Sequence, residues 1–344
     1  MSAQTTSMLR ARRHAKMPHP WLVRLAALRA WLFLALLLVV FETWARLSYG
    51  TSFVLSTYNL QSVAIFAVAP LLLALGETFV IIAGGIDLSV GFVMGLSAVV
   101  AAHAANGAGG VLPSFPAMLV GVAAGVLVSL VPGAINDWLI SKLKVPPFIG
   151  TLGMFGVARG AAFLLAKGTT VPVSNDWFAA LGNGRLFGVP SVVIVTVLFL
   201  LVMHYLLSQS RFGQHTYAVG ASEQAALSAG IGVGRLTRRL YLLSALCAGI
   251  GGVLYAARFT AGAAQAGEPL LLDSIAAVVI GGASLFGGSG TILGTVAGSL
   301  VIAVIQYGLV FVDVEPFWQF VAVGVVIIIS VLVDQTQRKL GGER

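Results

Sequence analysis

The sequence predicts an all-α polytopic membrane protein with about ten transmembrane helices and both termini cytoplasmic. Three observations carry that prediction. Of 344 residues, 58% are hydrophobic and only 9% charged, whereas soluble domains are roughly a quarter charged. The apolar residues fall in runs of about 20, the length that crosses a bilayer as a helix. Lysine and arginine gather in alternate connections between those runs, which sets an orientation.

Residues 1–29 form a basic segment in which Arg10, Arg12, Arg13, Lys16, Arg24 and Arg29 precede the first apolar run. A basic stretch before an apolar one imitates a secretory signal. No A-x-A cleavage site follows, and Glu42, Trp44 and Arg46 read as the interfacial finish of a first helix. An uncleaved anchor is expected. Spans follow at 30–48, 60–83, 87–105, 113–135, 147–166, 186–207, 239–260, 270–284, 288–311 and 317–334. The eighth is short, and the glycine-rich breaks at 84–91 and 281–290 leave nine or eleven spans open. With the N-terminus inside, the cytoplasmic side carries about 15 Lys and Arg and the outer side about 4. The outer four are Arg46, Lys167, Arg185 and Arg258, while Arg159 falls within a span. The transmembrane domain then runs over 30–335, with a cytoplasmic loop at 208–238 and a tail at 336–344.

The net charge of +8 is read as topology, since no basic patch with interleaved aromatics points to nucleic acid. The single cysteine, Cys247, sits in an apolar run. It excludes a disulfide framework or zinc cluster within one chain and reads as a small buried hydrophobe. No phosphate-binding loop exists, and the cluster at 287–294, "GGSGTILG", lacks its lysine and spacing. H-E-x-x-H and G-x-S-x-G are absent, and five scattered histidines form no ligand pair. Neither a metal site nor a cofactor is expected.

The stretch 84–91, "GGIDLSVG", places Asp87 and Ser89 among glycines between two apolar runs. An acid at the bilayer centre costs about 2.5–3.5 kcal/mol on insertion scales, so the stretch needs an architectural reason. It reads either as a helix break bordering a translocation route or gate, with Gly84, Gly85, Asp87 and Ser89 as its residues, or as a cap by Asp87 at the cytoplasmic interface. It is echoed by "GGASLFGG" at 281–288, which adds Gly281 and Gly282 as gate candidates. Glycines recur at four-residue spacing in Gly91/Gly95, Gly121/Gly125, Gly156/Gly160 and Gly290/Gly294/Gly298, a pattern that brings helix backbones together in lipid. In the loop 208–239, Ser222 reads as an N-cap and Gly230 as a C′ residue, bounding a helix of about eight residues. So short a helix is marginal in water, which implies a docking partner or packing against the membrane domain.

Here the chain resembles the ribose-type ABC sugar-importer permeases. The similar stretches are "TFVIIAGGIDLSVG" (78–91), "LKVPPFIGTLGM" (143–154), "ARG" (158–160), "YAVGASEQAALSAGI" (217–231) and "LDSIAAVVIGGASLFGGSGTILGT" (272–295). The resemblance runs in order over about 55–335. It implies an inner-membrane permease, paired with a second permease copy, driven by a cytoplasmic ATPase that binds the ATP, and supplied with a monosaccharide by a periplasmic binding protein. Glu223, Ala225, Ala226 and Gly230 match the family's coupling pattern, with one extra residue between the acid and the alanines. Glu77 departs from the family, where that position is commonly uncharged. It is expected to pair with Arg159 or another polar group, or to border an aqueous cavity. Substrate candidates are Tyr58, Asn59, Gln61, Asn136, Trp318 and Gln319. Two rivals stand beside this reading: a branched-chain amino-acid-type ABC permease, and an ion-coupled secondary carrier with Glu77 and Asp87 as its titratable relay.

Overall fold

In the computed structural model, residues 20–315 and 317–341 are described. Most of the basic segment expected at 1–29, Arg10 to Lys16 included, and residues 342–344 of the expected tail lie outside the described residues. In chain order the elements are α1 (Pro20–Tyr49), α2 (Thr57–Ile82), α3 (Val90–Gly109), α4 (Ser114–Asp137), α5 (Pro147–Ala166), β1 (Val171–Pro172), α6 (Asp176–Asn183), β2 (Arg185–Leu186), β3 (Val189–Pro190), α7 (Ser191–Ser208), α8 (Arg211–Ala221), α9 (Glu223–Ser228), α10 (Val233–Phe259), β4 (Ala261–Gly262), α11 (Glu268–Ile280), α12 (Ile292–Phe311) and α13 (Phe317–Gly341). A π-helical turn, Trp138–Lys142, prolongs α4.

Eight described helices are long and apolar enough to cross a membrane: α1, α2, α3, α4 with its π-turn, α5, α7, α10 and α12. Helices satisfy their backbone internally, which is the condition for living in hydrocarbon. The multi-pass reading therefore stands at eight full-length helices. The other two expected spans fall on α11, only 13 residues long, and on α13, whose apolar part is Phe317–Ser330.

Helices α2, α3, α10 and α12 are buried over most of their length, and α1, α5 and α7 mostly exposed. Close contacts between the buried helices run through small residues. Gly121 and Gly125 on α4 seat against Ala105, Ala101 and the Ser97 carbonyl of α3. Gly252 and Gly249 on α10 admit α3 and α4, and Gly298 admits the Ala277 carbonyl of α11. Gly156 and Gly160 differ from the other expected pairs, because a side chain at either would meet nothing within 4 Å.

Two features position the site. The first is a pair of turns at the end of the bundle that carries α8 and α9. After α2, the Gly84 and Gly85 amides donate to the carbonyls of Ile81 and Val80; after α11, Gly282 and Ala283 donate to Val279 and Val278. Each is a Schellman cap, with Gly84 at φ +85° and Gly282 at φ +95° as the left-handed residue that the motif requires. The two expected echoes are thus the same device at the same end. Their hydrogen bonds align Gly84 with Gly282, one residue off the match of Gly84 with Gly281 read from the letters.

The second feature lies where the sequence suggested an ordinary outer loop. After α10, the non-helical residues 261–267 run down the side of α3. Gly262 packs on Ala98 and Ala102, Gly95 receives the Ala264 carbonyl, and Gly91 and Gly267 close on each other's carbonyls. From Ala102 to Gly91 is about 17 Å of helix. Non-helical backbone, a two-residue strand followed by hydrogen-bonded turns, therefore lies along α3, anchored where β4 pairs antiparallel with β1 (Val171↔Gly262, Pro172↔Ala261). The short α11 starts from the bottom of this stretch, which explains the short eighth span.

Candidate functional site

The acid in "GGIDLSVG" is the hub of a buried polar cluster. Asp87 is 1% exposed. Its Oδ1 accepts from the Ser89 amide (3.0 Å), Ser89 Oγ (2.5 Å) and Asn136 Nδ2 (3.4 Å). Its Oδ2 accepts from Ser244 Oγ at 2.9 Å, and Asn136 Nδ2 also donates to Ser89 Oγ at 3.0 Å. Three elements, α4, α10 and the turn before α3, are thereby tied to one carboxylate. The backbone amide of Asp87 donates to Glu77 Oε2 at 3.4 Å. Among the described residues no basic group pairs with Glu77. Arg159 instead lies over the Phe92 ring, 5.3 Å from its centroid, so the expected Glu77–Arg159 pair is not formed. A helix-capping role for Asp87 on α3 is not seen either: Ser89 is the N-cap residue, without a side-chain cap bond.

A large cavity of about 760 Å³ opens towards the opposite end of the bundle, within the usual range for small-molecule sites. Its lining includes Phe66 and Pro70 from α2, Tyr255 and Arg258 from α10, Gln265 from the non-helical stretch, Glu268 at the start of α11 and Gln306 on α12. Non-helical backbone at membrane depth is tolerated where it borders such a space. Behind the lining, Gln306 Nε2 donates to the buried Asp273 Oδ2 at 2.8 Å. A second cavity of about 340 Å³ at the α9 end is bordered by Gly84, Gly85, Lys144, Glu223, Leu227 and Tyr241.

At that end, α8 is wedged between the end of α2 and the 287–290 loop that follows the second capped turn. Gly220 packs on the Ile82 carbonyl and the Gly288 amide, and Tyr217 Oη donates to the Gly290 carbonyl at 2.7 Å. Half-burial raises the Tyr217 pKa, so the phenol stays a neutral donor. Ser222 Oγ caps α9 by accepting from the Ala225 amide at 3.2 Å. The Gly230 and Ile231 amides close the helix on Leu227 and Ala226, giving six residues rather than about eight. Ala226 is 3% exposed and packs into its own chain, while Glu223, Ala225 and Leu227 face outward.

The substrate candidates scatter. Tyr58 and Trp318 are exposed, at 72% and 58%, and Gln319 is half-buried. Asn59 is structural: its Nδ2 donates to the Phe53 carbonyl and its Oδ1 accepts from Tyr307 Oη at 2.8 Å. Gln61 anchors the β2–β3 hairpin through the Gly188 carbonyl and Arg185. Asn136 belongs to the Asp87 cluster. None of the six borders the large cavity. The residues that do were missed, although the polar, small-residue string "AGAAQAGEP" before a short span was the available signal.

A multi-pass helical bundle with a large interhelical cavity at one end and amphipathic helices braced against buried turns at the other defines a membrane permease subunit. The chain belongs to the family described as branched-chain amino acid transport system / permease component, whose model matches residues 59–331. It is 39% identical over 266 residues to the ribose import permease protein RbsC of Bacillus subtilis, covering 77% of this chain and 80% of that one. To the RbsC of Escherichia coli K12 it is 34% identical over 319 residues, covering 90% and 96%. To the fructose import permease protein FrcC of Rhizobium meliloti it is 35% identical over 292 residues, covering 83% and 78%. As a permease component the chain is a transporter subunit and not an enzyme.

Proposed function

We propose that the chain is the membrane subunit of an inner-membrane ABC importer for a monosaccharide. The relatives named for ribose and fructose carry this reading over the amino-acid one, despite the wording of the family description. The large cavity supports it: aromatic walls with a few amide and charged groups suit a sugar's apolar faces and hydroxyl rim. On this reading the chain crosses ten times, with α11 and α13 as its two shorter crossings and both termini cytoplasmic. Lys142, Lys144, Arg211, Arg235, Arg238 and Arg239 at the α9 end, against Lys167, Arg185 and Arg258 at the other, favour α9 facing the cytoplasm.

The partners are an ATP-hydrolysing subunit beneath α9, a periplasmic sugar-binding protein over the mouth of the large cavity, and a second permease copy. The ATPase contact falls on Glu223, Ala225 and Leu227, since Ala226 is spent on packing within the chain. A displacement of α9 reaches the core through α8, which touches the end of α2 and the 287–290 loop after α11 together. The turn after α2 leads to Asp87, which holds α4 and α10, and the turn after α11 leads back to the cavity floor. The test is ATP hydrolysis by the purified complex with and without sugar-loaded binding protein. Stimulation that requires this chain supports the reading, and hydrolysis indifferent to loaded binding protein refutes it.

A further inference from the structure

Behind the wall of the large cavity lies a buried acid that no basic group pairs among the described residues. Asp273 is 7% exposed, on the short α11, and its Oδ2 accepts from Gln306 Nε2 at 2.8 Å. Burying a carboxylate is expensive unless it is well partnered, and an apolar residue would join α11 to α12 at less cost. What the acid supplies is direction. An ionised carboxylate only accepts hydrogen bonds, so it commits the amide nitrogen of Gln306 and leaves Oε1 as the free end. Gln306 borders the cavity, and among the described residues no protein donor reaches its Oε1. The amide is therefore held with Oε1 as a fixed acceptor, beside the one N–H of Nε2 that Asp273 does not take. Nearby stand Phe66 and Tyr255, rings that suit the C–H face of a sugar.

Resting on the monosaccharide reading above, we propose that Gln306 accepts a hydrogen bond from one sugar hydroxyl in the cavity, and that Asp273 is the positioning residue that fixes its orientation. Specificity then comes from a donor requirement at one hydroxyl. A site built to pair with a hydroxyl rejects the analogue that lacks it far more strongly than an apolar pocket does.

The test uses the full complex of this chain with its ATPase and binding protein, reconstituted in vesicles. D-ribose, D-fructose, D-allose and L-arabinose are the probes, followed by the monofluoro analogues of the one carried best. Fluorine replaces a hydroxyl in size but cannot donate. The readout is sugar carried per ATP hydrolysed, with each analogue at a concentration that saturates the binding protein. In the wild type, one analogue of the series falls by about five- to tenfold, the worth of one buried hydrogen bond. In Gln306→Met that selective penalty disappears, because the acceptor is gone. In Asp273→Asn the amide of Gln306 turns either way, so the penalty shrinks while the total complex recovered stays near wild type. Asp273→Glu, which keeps an acceptor-only group, retains more of the penalty than Asp273→Asn does. A merely structural Asp273 would lower all analogues alike. Uptake in which Gln306→Met keeps the wild-type fluorine pattern overturns the subsite and leaves the importer reading standing. Failure of the wild-type complex to carry any of the four sugars overturns both.

Discussion

Replacing Asp87 with leucine removes the acceptor on which four donor contacts converge, and its effect can be worked out bond by bond. Asn136 Nδ2 keeps Ser89 Oγ as a partner, so that donor survives. The Ser89 amide, the Ser89 hydroxyl and Ser244 Oγ lose Asp87, and Ser89 and Ser244 are buried. Each orphaned buried group costs about 1–3 kcal/mol, so Asp87→Leu is expected to cost about 3–9 kcal/mol. That compares with about 5–15 kcal/mol for the whole of a typical domain's stability. Asp87→Asn keeps one carboxyl-like oxygen for Ser89, and the Ser244 hydroxyl can rotate to accept from the new amide. Its cost is then about 1 kcal/mol. Thermal unfolding of the purified protein in detergent, followed as loss of the monodisperse species, should rank wild type, Asn and Leu in that order, with the Leu shift several times the Asn shift. Adding Ser244→Ala to Asp87→Leu removes one orphan and should recover part of the loss. If Leu and Asn melt together, or Ser244→Ala adds a full independent penalty, the carboxylate does not hold α4 and α10.

Four further outcomes are expected. Ala226→Arg forces a long charged side chain into the chain's own packing, where overfilling costs about 1–3 kcal/mol, and should lower accumulation. Ala225→Arg should accumulate normally yet abolish ATPase stimulation by loaded binding protein, and preserved stimulation there would remove α9 from the coupling contact. Gly267→Val places a side chain where the Gly91 carbonyl sits and should prevent stable folding, while Gly160→Val, which meets nothing within 4 Å, should fold. Equal yields in quantitative membrane blots would contradict the close approach of 261–267 to α3. Ser222→Cys in a Cys247→Ser background should resist impermeant thiol reagents in intact cells and react in inverted vesicles. Labelling from outside would reverse the assigned orientation.

Much of the bundle was legible because hydrophobicity and length are additive properties of a segment. Ser222 and Gly230 marked α9 to within two residues, since caps are local chemistry. The glycine pairs that touch another helix could not be told from Gly156 and Gly160, which touch none, because close approach depends on which faces meet. Arg159 illustrates the same limit: its charge made it the natural partner for Glu77, but helix rotation turned it onto Phe92. The non-helical stretch 261–267 escaped notice for a different reason. Its polar and small residues resemble those of a surface loop, and only contacts with α3 about 170 residues earlier in the chain reveal its depth. Gln306 and Asp273 were hidden inside apolar runs, where one polar letter has no visible partner.

The most direct test of the central claim is uptake of labelled D-ribose, and of D-fructose beside it, into vesicles holding this chain. Accumulation of one sugar that requires ATP, the ATP-hydrolysing subunit and the binding protein together is the predicted result. Accumulation that persists without the ATPase and follows an imposed ion gradient would make the chain a secondary carrier and contradict it.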